Sequence, residues 1–342
     1  MKNEKGNAQT ISQIMNLSQS TVSKALNNCG SVDSQTKEAI LKTAQALEYT
    51  PVQKKRVKQR STGFLVGVVM PINPYYFWNP AILGMQAAES NHQNLHVVFS
   101  LFANLCSEKD ALYCLDYLED LQIDLLIITP PAFTSVQQKL AQIAGRIPVV
   151  CFNESADFPF LFYTGSDFYM DGVRLADACA NMLFTHADIL KITYGSPVMV
   201  NQRDEGFRRR ITLLAPKARW VGTVDTRNIS PSSFSAQLAR ILHEKYDNQF
   251  QAVYVSQGML PQVCLAIRKL KPPEKIVVVG YENPEKNTQY TQSGMIAALL
   301  AQDTYTQGVR CIEAAYAYLS DGLLPEDHSI YIDSRIWRFT DQ

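Results

Sequence analysis

Residues 63–342 alternate short apolar runs with stretches of helix length. Runs such as FLVGVVM and DLLIIT show no polar alternation, which indicates strands that are buried on both faces, as in parallel sheets covered by helices on both sides. About ten such strands in 280 residues fit two doubly wound parallel sheets better than one. The predicted strands span 64–70, 95–101, 124–129, 147–152, 189–194, 219–224, 251–255, 276–280 and 295–300.

Amphipathic stretches between these strands predict the helices of the same α/β arrangement. Examples are 80–91, 108–121, 171–183, 232–246 and 304–319. In open α/β sheets, ligands bind outside the carboxyl ends of the strands. The segments that directly follow each strand are therefore the candidate site.

Those segments are rich in aromatic and polar side chains. Four consecutive aromatic residues, 75–78, follow the first strand, where we expect a loop with rings that stack on a ligand; local packing is the alternative. We expect Arg203 to open the helix after strand 189–194, where it could grip a ligand or pair with Asp204 or Glu205. Such a set of fixed donors, acceptors and flat apolar faces suits a polyhydroxy ligand. The other strand-end residues are Asn153, Glu154, Gln257, Glu282 and Gln302.

The charge of the chain is divided unevenly, although the net charge is zero. Residues 1–62 hold ten Lys and Arg against four acids, whereas residues 63–342 hold 22 bases against 28 acids. A basic segment on an otherwise acidic chain favours a polyanionic partner, although charge alone is equally consistent with a solvated tail. The sequence pattern within the segment has to decide between the two.

The first fifty residues predict three short helices, the first two joined by a tight turn at Asn16. Ser18 can cap the second helix, 19–26, and Asp33 or Ser34 can cap the third, which reaches about residue 47. This is the order of a helix-turn-helix, and the second helix leaves short polar groups and one cation facing outward, suited to a major groove. The apolar positions are Ile11, Ile14 and Met15 in the first helix, Val22, Ala25 and Leu26 in the second, and Ile40, Ala44 and Leu47 in the third.

The segment 17–51 contains STVSKALN, then VDSQTK, then LEYTP, and closely resembles the N-terminal domain of the LacI (lactose repressor) family of bacterial transcription regulators. It departs from the family pattern at Lys24, Asp33, Lys37 and Glu48. The resemblance implies that Gln19, Ser20 and Lys24 face operator bases, whereas Thr21, Ser23 and Asn27 hold phosphates or the turn.

Residues 51–62 form a basic linker, which includes Lys54, Lys55, Arg56 and Lys58. Like charges favour a disordered tether in solution, and DNA phosphates would neutralise them and permit a helix. The family wedges a Leu from such a hinge helix into the minor groove. Lys58 stands where that Leu is expected, so the sequence predicts phosphate binding by the linker and leaves the wedge open.

The large domain is similar to the sugar-binding, periplasmic-binding-protein-like half of the same family, through VGVVMPINP, YTGSDFYMDGVRLADA, RDEGF and VVVGYENPE. The resemblance implies an effector held by stacking aromatics and strand-end polar groups. The carboxylates of Glu154 and Glu282 outnumber the single cation, Arg203, so the site favours a neutral sugar or polyol over an anionic effector. The implied effector-binding residues are Tyr76, Phe77, Trp78, Asn153, Glu154, Arg203, Gln257, Glu282 and Gln302.

Other functions have weak sequence support. No apolar run approaches the ~18 residues of a membrane span, and the start of the chain lacks a secretory h-region, so we expect a cytoplasmic protein. Seven scattered Cys argue against disulfides and zinc, and five separated His argue against a catalytic base. No nucleotide-binding or hydrolase motif occurs in the sequence. We therefore expect no metal, no cofactor and no enzymatic activity. Two alternatives stay open: a solute-binding protein without a DNA role, and a DNA-binding protein whose pocket is vestigial and whose partner is another protein.

The sequence thus predicts three segments: a helix-turn-helix DNA-binding domain in 1–50, a basic hinge in 51–62 and a two-lobed effector-binding and dimerisation domain in 63–342. We expect a homodimeric, ligand-responsive DNA-binding regulator that acts as a repressor. Two recognition helices would enter successive major grooves of a pseudo-palindromic operator.

Overall fold

The computed structural model describes residues 8–15, 17–18, 21–22, 25, 33–46, 63–103, 105, 107–183, 187–194, 197–270, 276–281 and 283–338. The chain divides into two compact units, 1–58 and 59–342. Each unit is described by itself.

The N-terminal unit contains helices α1 (Ala8–Met15) and α2 (Ser34–Ala46), and Thr21, Val22 and Ala25 are also helical. The Oγ of Ser18 accepts the Thr21 N–H at 3.1 Å, as an N-cap does. Asp33 caps α2, since its Oδ1 accepts the Thr36 N–H at 2.9 Å. The buried core of this unit comprises Ile11, Val22, Ala25, Ile40 and Ala44. The prediction for Ile14 was wrong: it is 59% exposed, and Ile11 is the apolar residue that is fully buried among the described side chains of α1.

All nine predicted strands are present in the second unit, each within two residues of its predicted ends. The structure adds three short strands that the sequence analysis did not predict. The strands are β1 (Phe64–Pro71), β2 (Leu95–Phe102), β3 (Leu125–Ile128), β4 (Val149–Phe152), β5 (Tyr163–Gly165), β6 (Asp188–Thr193), β7 (Arg219–Asp225), β8 (Ala252–Val255), β9 (Val277–Tyr281), β10 (Ile296–Ala301), β11 (Ser329–Tyr331) and β12 (Arg335–Arg338).

The strands form two six-stranded sheets, and this confirms the prediction of two doubly wound lobes. The N-lobe sheet has the order β11-β5-β4-β3-β1-β2 and is parallel, and the C-lobe sheet has the order β12-β10-β9-β8-β6-β7 with only β12 antiparallel. In β8, Val253 and Val255 belong to one buried cluster and Ala252 and Tyr254 to another. Both faces of the C-lobe sheet are therefore packed, which explains why the strands show no polar alternation.

Helices cover the sheets of both lobes. Helix α3 begins at Tyr75, so the prediction that the four aromatic residues lie in a loop before a helix at 80 was wrong. Helix α7 begins at Pro197, so Arg203 lies inside that helix and does not open it. The helices are α3 (Tyr75–Glu89), α4 (Glu108–Asp120), α5 (Thr134–Ala144), α6 (Phe168–Leu183), α7 (Pro197–Leu214), α8 (Phe234–Tyr246), α9 (Leu260–Leu270), α10 (Pro284–Gln292) and α11 (Thr304–Asp321).

The chain crosses between the lobes three times: from β5 to α6, from β10 to α11 and from β11 to β12. Helix α11 packs on α3 in the N-lobe, and α6 packs on α7 in the C-lobe. Glycines permit the close approach of the helices in both of these pairs: a Cβ at Gly308 would lie 2.2 Å from the Ala81 O, and one at Gly206 would lie 2.1 Å from the Tyr169 O. The three crossovers place residues from distant parts of the chain between the lobes.

Candidate functional site

Five polar side chains meet where the chain crosses between the lobes. The Asn153 Nδ2 donates to the Oε1 of Gln302 at 2.7 Å and to the Oε1 of Gln307 at 3.0 Å. The Ser166 Oγ donates to the Gln302 Oε1 at 3.1 Å and lies 3.1 Å from the Ser334 Oγ. These residues, which we call the crossover cluster, connect the end of β4 with all three crossovers.

The crossover cluster is buried and composed of uncharged groups. Asn153, Ser166 and Gln307 are at most 3% exposed. Asn153 has a φ of +59°, a left-handed conformation that Asn tolerates better than most residues. A buried polar network of this kind is stable only when its members satisfy one another, so a change in the angle between the lobes must rearrange it. The crossover cluster contains two of the predicted effector-binding residues, Asn153 and Gln302, and of these Gln302 is partly exposed.

Arg203 lies within the C-lobe and is 2% exposed. Its Nη2 lies 3.5 Å from the Asp171 Oδ2, and its Cζ lies 4.1 Å from the ring centroid of Tyr281 and 4.9 Å from that of Phe168. Burial raises the pKa of Asp171, and Arg203 and a hydrogen bond with Ser334 oppose that rise. Because Ser334 also belongs to the crossover cluster, hydrogen bonds extend from the crossovers to the guanidinium.

Neither sequence neighbour of Arg203 is its recorded ion-pair partner. Asp204 instead binds Lys191 of β6, and Glu205 binds Arg209 one turn later at 2.6 Å. Burial raises the pKa of Asp204 and Lys191 opposes that rise. With Asp171 and two rings around it, the Arg203 guanidinium exposes little surface, although its buried Nε, like the Gln257 Oε1, has no recorded hydrogen-bond partner. Its contacts are those of a residue that holds α6, α7 and β9 together.

The three predicted aromatic residues occupy the first turn of α3, after the carboxyl end of β1. Trp78 is 4% exposed, donates from Nε1 to the Asn73 O at 3.2 Å, and meets Phe77 edge to face at 4.7 Å. The Phe77 O accepts the Thr304 hydroxyl at 3.0 Å, which ties this turn to α11. Trp78 is thus largely engaged in local packing, whereas Phe77 and Tyr76 are half-buried and keep surface for stacking.

Tyr76 also makes a contact with the other lobe. The Nζ of Lys286, in the first turn of α10, lies 5.6 Å from its ring centroid. Helix α10 follows β9 of the C-lobe, as α3 follows β1 of the N-lobe. The first turns of these two helices therefore face each other between the lobes. The sequence analysis did not identify Lys286, because a single exposed Lys on a helix belongs to no motif or spacing that would mark it as functional.

Gln257, directly after β8, has a buried Oε1 without a recorded hydrogen-bond partner. Thr129, directly after β3, likewise has a buried Oγ1 without one. Buried polar atoms are nearly always hydrogen-bonded, so such atoms at the carboxyl ends of strands are suited to accept groups from a bound molecule. Glu154 is 6% exposed after β4, and Glu282 lies outside the described residues.

Of the predicted DNA-contacting residues, Thr21 lies within the described part of the chain, where its Oγ1 lies 2.8 Å from the Ser18 Oγ. It is half-buried on the helical segment that Ser18 caps. The remaining predicted contacts lie outside the described residues: Gln19, Ser20, Ser23, Lys24, Asn27, Lys54, Lys55, Arg56 and Lys58.

Two cavities lie away from these strand ends. One, of about 420 Å³, opens between β6, β7 and α7 and is lined by Lys191, Asp204, Glu205, Arg208, Arg209 and Thr223. Another, of about 320 Å³, lies between α11 and the segment that follows it. Within the described ranges, no three His, Cys, Asp or Glu side chains come together as metal ligands. None of the helices described has the length and apolar character needed to cross a bilayer.

Two parallel-sheet lobes, three crossovers and polar groups at facing strand ends define a two-lobed ligand-binding domain. The chain belongs to the periplasmic binding protein domain family, whose sequence profile matches residues 66–323. A curated relative is the uncharacterized HTH-type transcriptional regulator YkvZ of Bacillus subtilis, 28% identical over 171 residues. That match covers 49% of this chain, and the chain spans about half (50%) of the length of this relative.

Solved structures share the fold at low sequence identity. A solute-binding protein of Agrobacterium radiobacter, in complex with D-arabinose, has a TM-score of 0.70 at 19% identity, covering 82% of this chain and 96% of that one. A ribose transporter protein of Conexibacter woesei has a TM-score of 0.69 at 20% identity, covering 83% and 94%. A LacI-family regulator of Silicibacter pomeroyi has a TM-score of 0.62 at 18% identity, covering 97% and 98%.

Proposed function

We propose that this protein is a ligand-responsive, sequence-specific DNA-binding transcription regulator of the cytoplasm, a repressor that controls carbohydrate-related genes. A sugar or polyol would bind between the two lobes, and the N-terminal unit would bind an operator as part of a homodimer. The ligand shifts DNA occupancy only by its differential affinity for two states, typically by about 1–3 kcal/mol. It does so without acting as an enzyme.

The N-terminal unit carries this proposal. It has its own buried core, a Ser18-capped helical segment and an excess of six positive charges over residues 1–62. A solute-binding protein without a DNA role does not require such a unit, whereas a helix-turn-helix domain requires this order of capped helices. The HTH-type regulator relative and the LacI-family structure, which matches over nearly the whole chain, support the same conclusion.

The two-lobed domain supports a neutral polyhydroxy effector. Arg203, the cation expected at the site, is already paired with Asp171 and enclosed by two rings. The side chains that can still contact a ligand include the half-buried rings of Tyr76 and Phe77 and the amide of Gln257. Rings stack on the apolar face of a sugar, and amides exchange hydrogen bonds with its hydroxyls. The Agrobacterium radiobacter structure with bound D-arabinose shares this fold.

DNA binding is tested with the full-length protein by genomic selection, followed by fluorescence anisotropy on the enriched duplex and a scrambled one. We expect Lys24→Ala to reduce the preference for the enriched duplex and Lys55→Ala to weaken binding to both duplexes alike. Lys42→Ala is the control, because it removes the same charge from the exposed side of α2, where Lys42 pairs with Glu38. Absence of any enriched fragment, with and without sugars, would refute the DNA-binding role.

The effector is tested by thermal shift with neutral sugars, polyols, sugar phosphates and sugar acids. Stabilisation by a neutral compound is expected, and stabilisation only by phosphorylated or acidic compounds would refute the neutral class. A sugar-binding protein without a DNA role is the second candidate, favoured by the fold's likeness to transporter binding proteins. It predicts a strong response to a sugar together with no duplex selectivity.

A further inference from the structure

Helices α3 and α10 begin at the carboxyl ends of strands from different lobes. Helix α3 starts at Tyr75 after β1, and α10 starts at Pro284 after β9. Ligands of open α/β sheets bind at these strand ends, so the first turns of both helices border the space between the lobes. Groups that meet across these two turns can do so only while the lobes are close together.

Lys286 and Tyr76 are such groups. The Lys286 ammonium lies 5.6 Å from the centroid of the Tyr76 ring, within the ~6 Å range of a cation–π contact. The backbone of Lys286 is held in place, because its N–H donates to the Asn283 Oδ1 at 3.2 Å as part of the α10 N-cap. No covalent crossover of the chain imposes this contact.

We propose that Lys286 is a positioning residue that favours the closed arrangement of the lobes through the Tyr76 ring. A contact present only in the closed arrangement shifts the open–closed equilibrium by its own free energy. At an exposed site such as Lys286, a cation–π contact changes that equilibrium about two- to fivefold. The affinity of a ligand that needs closed lobes changes by up to the same factor. This last consequence rests on the proposed function.

The test measures lobe closure in the unliganded full-length protein, so it does not depend on a sugar. Spin labels are placed at Tyr113→Cys on α4 of the N-lobe and Leu213→Cys on α7 of the C-lobe, which are 72% and 74% exposed. Cys29 and Cys106 are replaced by Ser, and the five described cysteines are buried. Double electron–electron resonance then gives the distribution of distances between the lobes.

We expect Lys286→Met, which keeps the aliphatic stem, to lower the ratio of short to long distances about two- to fivefold. Lys286→Arg keeps a cation at this position, so it should retain the wild-type distribution. Tyr76→Leu should shift it as Lys286→Met does, and the double variant should show no additional shift.

Three results would overturn this proposal: an unchanged distribution in Lys286→Met, failure of Lys286→Arg to restore it, or additive shifts in the double variant. The same variants are then titrated with D-arabinose and D-ribose by calorimetry. If neither sugar binds the wild-type protein, the proposed effector class loses support while the distance result still decides the role of Lys286.

Discussion

The packing of α11 on α3 gives a prediction in which two opposing effects can be compared. Gly308 is a helical residue, so Gly308→Ala gains about 1 kcal/mol from helix propensity alone. The new Cβ, however, would lie 2.2 Å from the Ala81 O and 3.1 Å from the Met85 N, which are backbone atoms of α3. Overpacking costs typically 1–3 kcal/mol, and a backbone contact this short belongs at or above the upper end. The clash therefore wins, with a net loss of about 2 kcal/mol.

Urea denaturation of the full-length protein measures this loss. Gly145→Ala is the matched control, because Gly145 has an α-helical φ of −67° and its Cβ would come no closer than 3.4 Å to the contacts found. It should be neutral or stabilising by up to about 1 kcal/mol. Because Gly308 adjoins Gln307 of the crossover cluster, ligand affinity should fall as well. A Gly308→Ala protein at least as stable as wild type would refute the reasoning.

The remaining predictions concern the buried ion pair, an orphaned amide and a helix cap. Arg203→Met should lower the free energy of unfolding by about 3–5 kcal/mol in urea denaturation, because it leaves the Asp171 carboxylate buried without its cation. Adding Asp171→Leu to this variant should recover much of the lost stability. No recovery would argue against a mainly structural role for the pair. Gln257→Leu should weaken binding of a neutral ligand about tenfold and leave the folded state at least as stable as before, because the buried Oε1 has no recorded hydrogen-bond partner to lose. Calorimetry measures the affinity and thermal melting measures the stability. An affinity equal to that of the wild type would place Gln257 outside the site. Hydrogen bonds from the side chain and backbone of Thr36 hold the pKa of Asp33 below its usual 3.8, so the cap stabilises α2 above that pH and is lost as the pH falls through the lowered folded pKa. Hydrogen exchange of residues 34–46, corrected for intrinsic rates, should show this loss in the wild type and a flatter pH response in Asp33→Asn; identical responses would contradict the role of the charge.

Local patterns in the sequence determined much of this protein. Strands buried on both faces lack polar alternation, so runs such as 64–70 and 124–129 predicted parallel sheets, and their number predicted two lobes. Ser18 and Asp33 were predicted as helix caps, because a cap side chain accepts a backbone N–H that lies only three residues further along the chain. The strand ends also marked Asn153, Gln257 and Gln302, which lie at the crossovers or carry an unpartnered atom.

The tertiary structure alone decided the partners of these residues. Asn153 binds Gln302 across 149 positions of the chain, and Arg203 selects Asp171 across 32 rather than its neighbours Asp204 and Glu205. The strands β5, β11 and β12, of three or four residues each, are too short to show a period and exist because a neighbouring strand pairs with them. Periodicity reports which side of an element is buried, whereas the group it meets there depends on chain crossings that no local pattern contains.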